Sequence, residues 1–183
     1  MEWDDRYREE IRKPLREPRQ WLVSHAGFCV AYEWALDVAM GLGNNAAYLC
    51  NQGMHVIGVD RSQVAVSHAK STYPKVNTIL ADMGACNFAT GRIALICNFY
   101  FLDRSLITAY YRWLKPAGVV IFETLTEPIL SICPDISRDK LLKPGELLQL
   151  FHDWEILAYR EGWVETDHGN EKAIASIAAR KKS

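Results

Sequence analysis

The hydrophobic positions of this 183-residue chain change their spacing several times, and each spacing predicts a different kind of element. In the first part of the chain, which is rich in charge, Trp3, Tyr7 and Ile11 recur every four residues and predict a helix with one apolar face. From Trp34 onward, short apolar runs alternate with amphipathic segments. That alternation is typical of βαβ units, so the pattern predicts a helical N-terminal segment followed by an α/β core.

Seven segments have the length and composition of strands. The predicted strands cover residues 34–39, 55–59, 76–81, 93–98, 119–123, 154–160 and 173–179. The first five are separated by longer connections, which predicts parallel pairing, whereas a short polar turn joins the last two and predicts an antiparallel hairpin. Five parallel strands closed by a hairpin form a doubly wound α/β sheet. Asn44, Ser62 and Asp103 are predicted to cap three of the intervening helices.

Charge and cysteine spacing exclude several classes of function. The chain has 21 basic and 22 acidic residues, a net charge of −1, which argues against nucleic-acid binding through bulk positive charge. Its five cysteines form no CxxC pair and no Cys/His cluster at zinc spacing, so we expect reduced thiols and no metal site.

Length and hydropathy predict one domain in the cytoplasm. The charged N-terminus lacks the apolar region of a signal peptide, and no apolar run reaches membrane-spanning length, so we expect no membrane contact. A chain of this size with 49% hydrophobic residues can bury a core without disulfides. We expect a single domain over 1–183, with 1–33 as a helical lid segment and 34–183 as a Rossmann-like core.

A glycine turn after the first predicted strand is the most informative feature of the sequence. Residues 36–46 have the sequence LDVAMGLGNNA, with Gly41 and Gly43 between the strand and the next helix. Glycines there let a ligand approach the backbone beside the N–H groups of a helix N-terminus. Gly41, Gly43 and Ala46 also fit a loose dinucleotide fingerprint, so at this point a nicotinamide cofactor remains open.

Three acidic residues stand at the ends of three successive predicted strands. Asp37 lies four residues before Gly41, where a negative charge would repel a pyrophosphate but would suit an ammonium group. Asp60 can accept hydrogen bonds from a ribose diol, and Asp82 can accept one from an adenine amine. Because doubly wound sheets bind ligands at the carboxyl ends of their strands, the set describes S-adenosylmethionine. The competing interpretations are a capping or loop acid at Asp37, a helix start at Asp60 and a turn at Asp82.

These motifs resemble, in order, those of the class I S-adenosylmethionine-dependent methyltransferases. Residues 37–43 (DVAMGLG) are similar to the first motif of the family, and residues 56–60 (VIGVD) to its second strand. Residues 81–83 (ADM) are similar to its adenine contact, and residues 114–118 (LKPAG) to the turn that enters its fifth strand. The resemblance extends from about Trp34 to the C-terminus.

Within that family, the chain most resembles the small single-domain branch that includes tellurite-resistance and other small-molecule methyltransferases. Residues 3–7, 43–49 and 98–104 carry this closer resemblance. Met40 departs from the branch, which often has cysteine there, and Leu42 stands where a polar or basic residue is common.

The resemblance implies a seven-stranded sheet in the order 3-2-1-4-5-7-6, with helices on both faces. It also implies S-adenosyl-L-methionine as cofactor, S-adenosyl-L-homocysteine as product and a small-molecule acceptor. The residues implied to bind the cofactor are Asp37, Ala39, Gly41, Gly43, Asn45, Asp60, Arg61, Asp82, Met83 and Asn98. The residues implied to bind the acceptor are Trp3, Tyr7, Phe99, Tyr100 and Arg104.

The acceptor side leaves more alternatives open than the cofactor side. The aromatic residues can equally be core, Arg104 can pair with a surface carboxylate, and His168, a candidate base, is more commonly a solvated turn residue. Methyl transfer depends mainly on proximity and alignment, so an easily ionised acceptor such as a thiol or chalcogen oxyanion needs little base catalysis. We expect the loop between Glu123 and Lys143 to help cover this acceptor.

Two other classes of function, and two states of assembly, stay open at this stage. A non-catalytic protein that binds S-adenosylmethionine is one alternative, and an NAD-dependent oxidoreductase is a weaker one. The chain is expected to be a monomer or a homodimer.

Overall fold

The computed structural model describes residues 2–14, 16–165 and 171–182, and it contains one seven-stranded sheet with helices packed on it. The strands are β1 (Trp34–Val38), β2 (His55–Asp60), β3 (Asn77–Leu80), β4 (Ile93–Phe99), β5 (Leu114–Leu125), β6 (Glu155–Glu165) and β7 (Glu171–Arg180). The helices are α1 (Glu2–Glu10), α2 (Gln20–Ser24), α3 (Asn44–Asn51), α4 (Gln63–Thr72), α5 (Leu106–Trp113) and α6 (Glu146–Leu150). His168 lies outside the described residues.

The order of the strands is β3-β2-β1-β4-β5-β7-β6, which confirms the predicted topology. Strands β1 to β5 pair in parallel, and β7 runs antiparallel to both β5 and β6. The order reverses between β1 and β4, and ligands of such sheets bind at the carboxyl ends of the strands near this reversal.

Alternate residues of the central strands pack on opposite faces of the sheet. On β4, Leu95 and Cys97 belong to an apolar cluster with residues of α2, α3 and α4, whereas Ile96 belongs to one with residues of α5 and α6. Both clusters are buried, as expected for a parallel sheet covered by helices on both sides. This arrangement is the predicted doubly wound α/β fold.

Two of the three predicted helix caps differ in the structure. Ser62 is the N-cap of α4, and its hydroxyl accepts a hydrogen bond from the backbone N–H of Ala65, as predicted. Asn44 is instead the first residue of α3, since Gly43 takes the cap position in a left-handed conformation. The carboxylate of Asp103 accepts from Ser105, which is the N-cap residue of α5.

The fifth strand is longer than the apolar pattern predicts. It begins at Leu114 rather than Val119 and includes Pro116, and its pairing with β4 shifts register between Ile93 and Leu95. Proline lacks the N–H needed for regular pairing, so a strand can contain it at such an irregularity.

The N-terminal helix packs against the start of α4. Asp4 accepts hydrogen bonds from the hydroxyl of Ser62 and, at 3.3 Å, from the backbone N–H of Val64. These contacts place α1 above the carboxyl edge of the sheet. Within the ranges that the structure describes, no helix is both long and apolar enough to cross a bilayer.

Candidate cofactor and acceptor site

The turn after β1 has three left-handed residues at alternate positions. Ala39, Gly41 and Gly43 have φ angles of 50°, 56° and 89°. Glycine adopts this conformation readily, whereas alanine pays a steric cost for it. The backbone therefore reverses tightly between the end of β1 and α3, as the sequence predicts, and it brings Gly41 close to the end of β2.

Asp37, a predicted cofactor-binding residue, is buried beside this turn. Its Oδ1 accepts a hydrogen bond from Sγ of Cys97 at 3.2 Å, and its Oδ2 is buried without a hydrogen bond of standard geometry among the residues that the structure describes. The backbone N–H of Ala46, in the first turn of α3, lies close enough to lower the pKa of the carboxyl. Burial raises the pKa of Asp37 to about 7. The carboxylate is therefore poised to accept a proton or a positively charged donor, which fits the predicted ammonium group.

Asp60 ties the glycine turn to the start of α4. Its Oδ2 accepts from the backbone N–H of Gly41 and its Oδ1 from that of Ser62, both at 2.8 Å. Burial raises the pKa of this carboxyl, and these hydrogen bonds oppose the rise. Since each carboxylate oxygen has two lone pairs, Asp60 retains capacity for a diol. The residue thus has a structural role at the helix start that is compatible with the predicted ribose contact.

The third strand-end acid is in a different environment. Asp82 is exposed, and its Oδ1 accepts from the backbone N–H of Gly84 at 2.9 Å, which corresponds to the turn interpretation. Its neighbour Met83 is buried, and Arg61, after β2, is exposed. The adenine contact of Asp82 remains a prediction.

Two asparagines among the predicted cofactor residues bond to other parts of the chain. Oδ1 of Asn45 accepts from the backbone N–H of Arg19 at 2.9 Å, which holds the segment before α2 across the start of α3. Nδ2 of Asn98 donates to the hydroxyl of Tyr110 at 2.8 Å, and its Oδ1 is buried with no partner in the described chain. Asn98 therefore offers a buried acceptor at the end of β4.

Met40 packs on the neighbouring strand where the resembling branch often has cysteine. Met40 is buried, and a Cβ atom built on Gly58 would lie 2.3 Å from Sδ of Met40. Gly58 is thus required by the close approach of a side chain from the glycine turn.

Tyr7 of α1 covers the glycine turn. A Cβ atom on Gly41 would lie 3.0 Å from the hydroxyl of Tyr7. Burial and the negative charge of Asp60 raise the pKa of this phenol well above its ordinary value. Trp3 lies beside Tyr7, with a ring-centroid separation of 6.2 Å. The structure therefore places Tyr7, a predicted acceptor residue, over the turn predicted to bind the cofactor.

The other end of the site is centred on Tyr100, which follows β4. Its φ is 59°, an uncommon conformation for a non-glycine residue, and its pKa is raised by burial and by Glu123. Arg19 and Lys172 each place a cationic group within 4.6 Å of the Tyr100 ring centroid. Phe99 is buried in the apolar core, which matches the alternative that the sequence left open.

Glu123 is buried at the end of β5, next to Tyr100. Its Oε2 accepts from Oγ of Ser176 at 2.8 Å and from the guanidinium of Arg160 at 3.1 Å. The backbone N–H of Tyr100 donates to the carbonyl oxygen of Glu123 at 2.8 Å. These contacts connect the end of β4 with β5, β6 and β7.

Arg104 is bonded to the loop that follows β5 and to α6. Its guanidinium binds the carboxylate of Glu146 at 2.5 Å and the carbonyl oxygens of Asp139 and Leu141 at 3.0 and 2.9 Å. These contacts correspond to the alternative in which Arg104 pairs with a surface carboxylate. In the same loop, Ile129 is buried in a small cluster with Leu141 and Ala173, so part of the loop packs onto β7.

Sequence reasoning missed three polar residues near Tyr100. Glu123 ends the apolar run of β5, and an acid in that position was a usable signal. Arg19 and Lys172 are far apart in the sequence and belong to no local motif, so only the folded chain brings them together.

Comparisons with known proteins show which proteins the chain is similar to. A family model described as a methyltransferase domain matches residues 35–118. The chain is 27% identical over 163 residues to TehB of Haemophilus influenzae, a probable S-adenosyl-L-methionine-dependent methyltransferase, covering 80% of this chain and 57% of the relative. The chain thus spans little more than half the length of that curated relative.

Solved structures share the fold. The crystal structure of Haemophilus influenzae TehB superimposes with a TM-score of 0.76 at 22% identity, over 98% of this chain and 67% of that one. A structure described as a SAM-dependent methyltransferase from Methanosarcina mazei gives 0.72 at 18% identity, over 91% and 99%. These likenesses confirm the predicted fold.

Proposed function

We propose, from its place among the class I S-adenosylmethionine-dependent methyltransferases, that this chain transfers a methyl group from S-adenosylmethionine to a small-molecule acceptor. The observation that carries the proposal is Oδ2 of Asp37, a buried carboxylate oxygen beside the glycine turn. A buried charge is costly unless it is paired, and the amino group of the methionine moiety would pair it.

The cofactor would be held by side chains at the ends of β1, β2 and β3. Asp37 would bind the amino group, Asp60 the ribose hydroxyls and Asp82 the adenine amine. The positive φ angles of Gly41 and Gly43 support this assignment, because they let a ligand lie close to the backbone there. When bound, S-adenosylmethionine supplies an electrophilic methyl group on a positively charged sulfur.

The chain's own contribution would be to position the acceptor and exclude water. The phenols of Tyr7 and Tyr100 have raised pKa values, so they stay protonated at neutral pH and cannot serve as bases. An acceptor that ionises on its own suits such a site. We therefore propose a thiol or a chalcogen oxyanion as the acceptor, bound by a monomer or homodimer in the cytoplasm.

Cofactor-dependent stabilisation tests the first step of this proposal. S-adenosylmethionine or S-adenosylhomocysteine at about 100 times its Kd should stabilise the fold by about 2.7 kcal/mol, and NAD should not. Thermal unfolding with each compound measures the difference. An unchanged transition with both sulfur compounds, in protein shown to be folded, would overturn the proposal, and stabilisation by NAD would favour an oxidoreductase.

A non-catalytic role is the second candidate, and the packing of Tyr7 over Gly41 favours it. A lid that closes on the turn would suit a protein that holds the cofactor without turning it over. Mass detection of methylated product across thiols, phenols and chalcogen oxyanions separates the two functions. Cofactor binding without any product would support the non-catalytic one.

A further inference from the structure

Two cationic side chains meet on one aromatic ring at the acceptor end of the site. The guanidinium carbon of Arg19 lies 4.5 Å from the centroid of Tyr100, and Nζ of Lys172 lies 4.6 Å from it. Arg19 precedes α2, and Lys172 belongs to β7. The fold therefore concentrates positive charge just beyond the end of β4, where the sheet order places the acceptor beside the cofactor.

Several contacts fix the positions of these groups. The backbone N–H of Arg19 is bound to Asn45, and that of Tyr100 to the carbonyl of Glu123. Tyr100 is held with a φ of 59°, and strained backbone of this kind is concentrated at ligand sites. The backbone of the tyrosine that carries both cations is thus anchored to β5.

The buried carboxylate of Glu123 neutralises this pair only in part, since it is already bound by Arg160 and Ser176. Burial lowers the pKa of Lys172, and the positive charges of Arg19 and Arg16 lower it further, whereas the negative charge of Glu123 opposes these shifts. Lys172 is therefore repelled by the neighbouring cations more than it is attracted by Glu123. A bound anion would relieve that repulsion.

We propose that Arg19 and Lys172 are specificity-determining residues that bind a negatively charged oxygen group of the acceptor beside Tyr100. This inference rests on the proposed function, since it names the class of acceptor for the same site. The group is either an inorganic chalcogen oxyanion or the carboxylate of an organic thiol. Both spread charge over oxygen atoms that an arginine fork and a lysine ammonium recognise.

Titration of protein saturated with S-adenosylhomocysteine tests the inference by calorimetry. The probes are selenite, 3-mercaptopropionate and the uncharged thiol 2-mercaptoethanol, so that the first two separate an oxyanion from a carboxylate. We expect at least one anion to bind about tenfold more tightly than the uncharged thiol, a difference of roughly 1.4 kcal/mol. Lys172→Met and Arg19→Gln should each remove most of that preference.

Lys181→Met is the matched control. Lys181 also places Nζ near a tyrosine ring, 4.9 Å from the centroid of Tyr111, and bonds the carbonyl of Leu114. This variant should keep the preference for anions.

The outcomes separate this inference from the proposed function. Failure of S-adenosylhomocysteine to bind the wild-type protein would overturn both. Normal binding of S-adenosylhomocysteine, with equal affinity for charged and uncharged probes or with unchanged anion affinity in Lys172→Met and Arg19→Gln, would overturn this inference alone.

Discussion

The carboxyl edge of the sheet has two halves that are built in different ways. At β1, β2 and β3, an acid lies at or within two residues of the end of each strand, and Asp60 and Asp82 accept hydrogen bonds from backbone N–H groups of their own turns. At β5, β6 and β7, the polar groups bind one another through side chains, as Glu123 does with Arg160 and Ser176. We refer to these as the cofactor half and the acceptor half.

The difference shows how one fold can keep a cofactor and vary its acceptor. The cofactor half is specified by short contiguous motifs, so its geometry follows from local turns. The acceptor half depends on Arg19 and Lys172, which come from opposite ends of the chain. Substitutions there can change what is bound without altering the glycine turn.

The largest effect is expected at Asp60, which holds the glycine turn and the start of α4 and is proposed to bind the ribose. In Asp60→Ala, two buried backbone N–H groups lose their acceptor, so stability should fall by about 2 kcal/mol or more. Cofactor affinity should fall at least about tenfold, because charge-assisted hydrogen bonds contribute about 1.5–3 kcal/mol each. Urea unfolding and calorimetric titration measure the two losses.

Asp60→Asn keeps one acceptor and should lose less of both. Asp135→Ala, at an exposed acid, is the control and should lose neither. Equal cofactor affinity in wild type and Asp60→Ala would show that Asp60 only holds the helix start.

Asp37 should make the cofactor half sensitive to pH. Since the folded pKa is about 7 and the ordinary value is 3.8, the folded state favours the proton, and stability should fall as pH rises from about 4 to about 7 and level off above that. Cofactor affinity should rise over the same range, because the ionised carboxylate pairs with an ammonium group. Urea unfolding and calorimetric titration at about pH 5, 6, 7 and 8 measure these two opposite trends.

Asp37→Asn sharpens the comparison between the halves. It should bind cofactor about tenfold more weakly, since a charge-assisted bond is lost, and its affinity should no longer depend on pH near 7. Lys172→Met, in the acceptor half, should retain the pH dependence of the wild type. A pH slope that survives in Asp37→Asn would assign the titration to another group.

Removal of α1 should produce a smaller effect that spans both halves. Deleting the residues before Arg12 takes Tyr7 away from Gly41, so methyl transfer and cofactor retention should fall roughly fivefold, the effect of about 1 kcal/mol. Most of the stability should remain, since α1 packs mainly on α4. Product formation and thermal unfolding test this expectation.

Two point variants test whether Tyr7 causes the effect of the truncation. Tyr7→Phe should reproduce part of the loss, whereas Arg8→Ala, at an exposed position of the same helix, should not. Full turnover after truncation would show that α1 is not part of the site.

The smallest effect is expected at Arg104. Its ion pair with Glu146 is partly exposed, so Arg104→Met should cost no more than about 1 kcal/mol of stability. Acceptor affinity should stay within about twofold of the wild type, a change of less than about 0.5 kcal/mol, since the guanidinium of Arg104 is already bound by Glu146 and two backbone carbonyl groups. If Arg104→Met lost as much anion affinity as Lys172→Met, the prediction would be wrong and Arg104 would also bind the acceptor.

The sequence predicted correctly those features of the fold that depend on neighbouring residues in the chain. The cap at Ser62 and the turn at Gly41 and Gly43 follow from short patterns, the strand order follows from the family resemblance, and the structure has each of them. The early start of β5 was missed because Pro116 and Gly118 usually end an element, whereas here a shift in strand pairing accommodates the proline.

The candidate site was recovered unevenly for the same reason. The structure places Asp37 and Asp60 together at the glycine turn, as their positions at strand ends suggested. Nothing in the spacing of Arg19 and Lys172 indicates that they share one ring, because tertiary packing brings them there.

The contact between Met40 and Gly58 has an evolutionary consequence. With methionine at 40, a Cβ atom at 58 would lie 2.3 Å from its sulfur, so alanine at 58 requires the methionine side chain to move or to be replaced. A shorter residue at 40 would make room for alanine at 58. The glycine turn thus couples substitutions on two neighbouring strands.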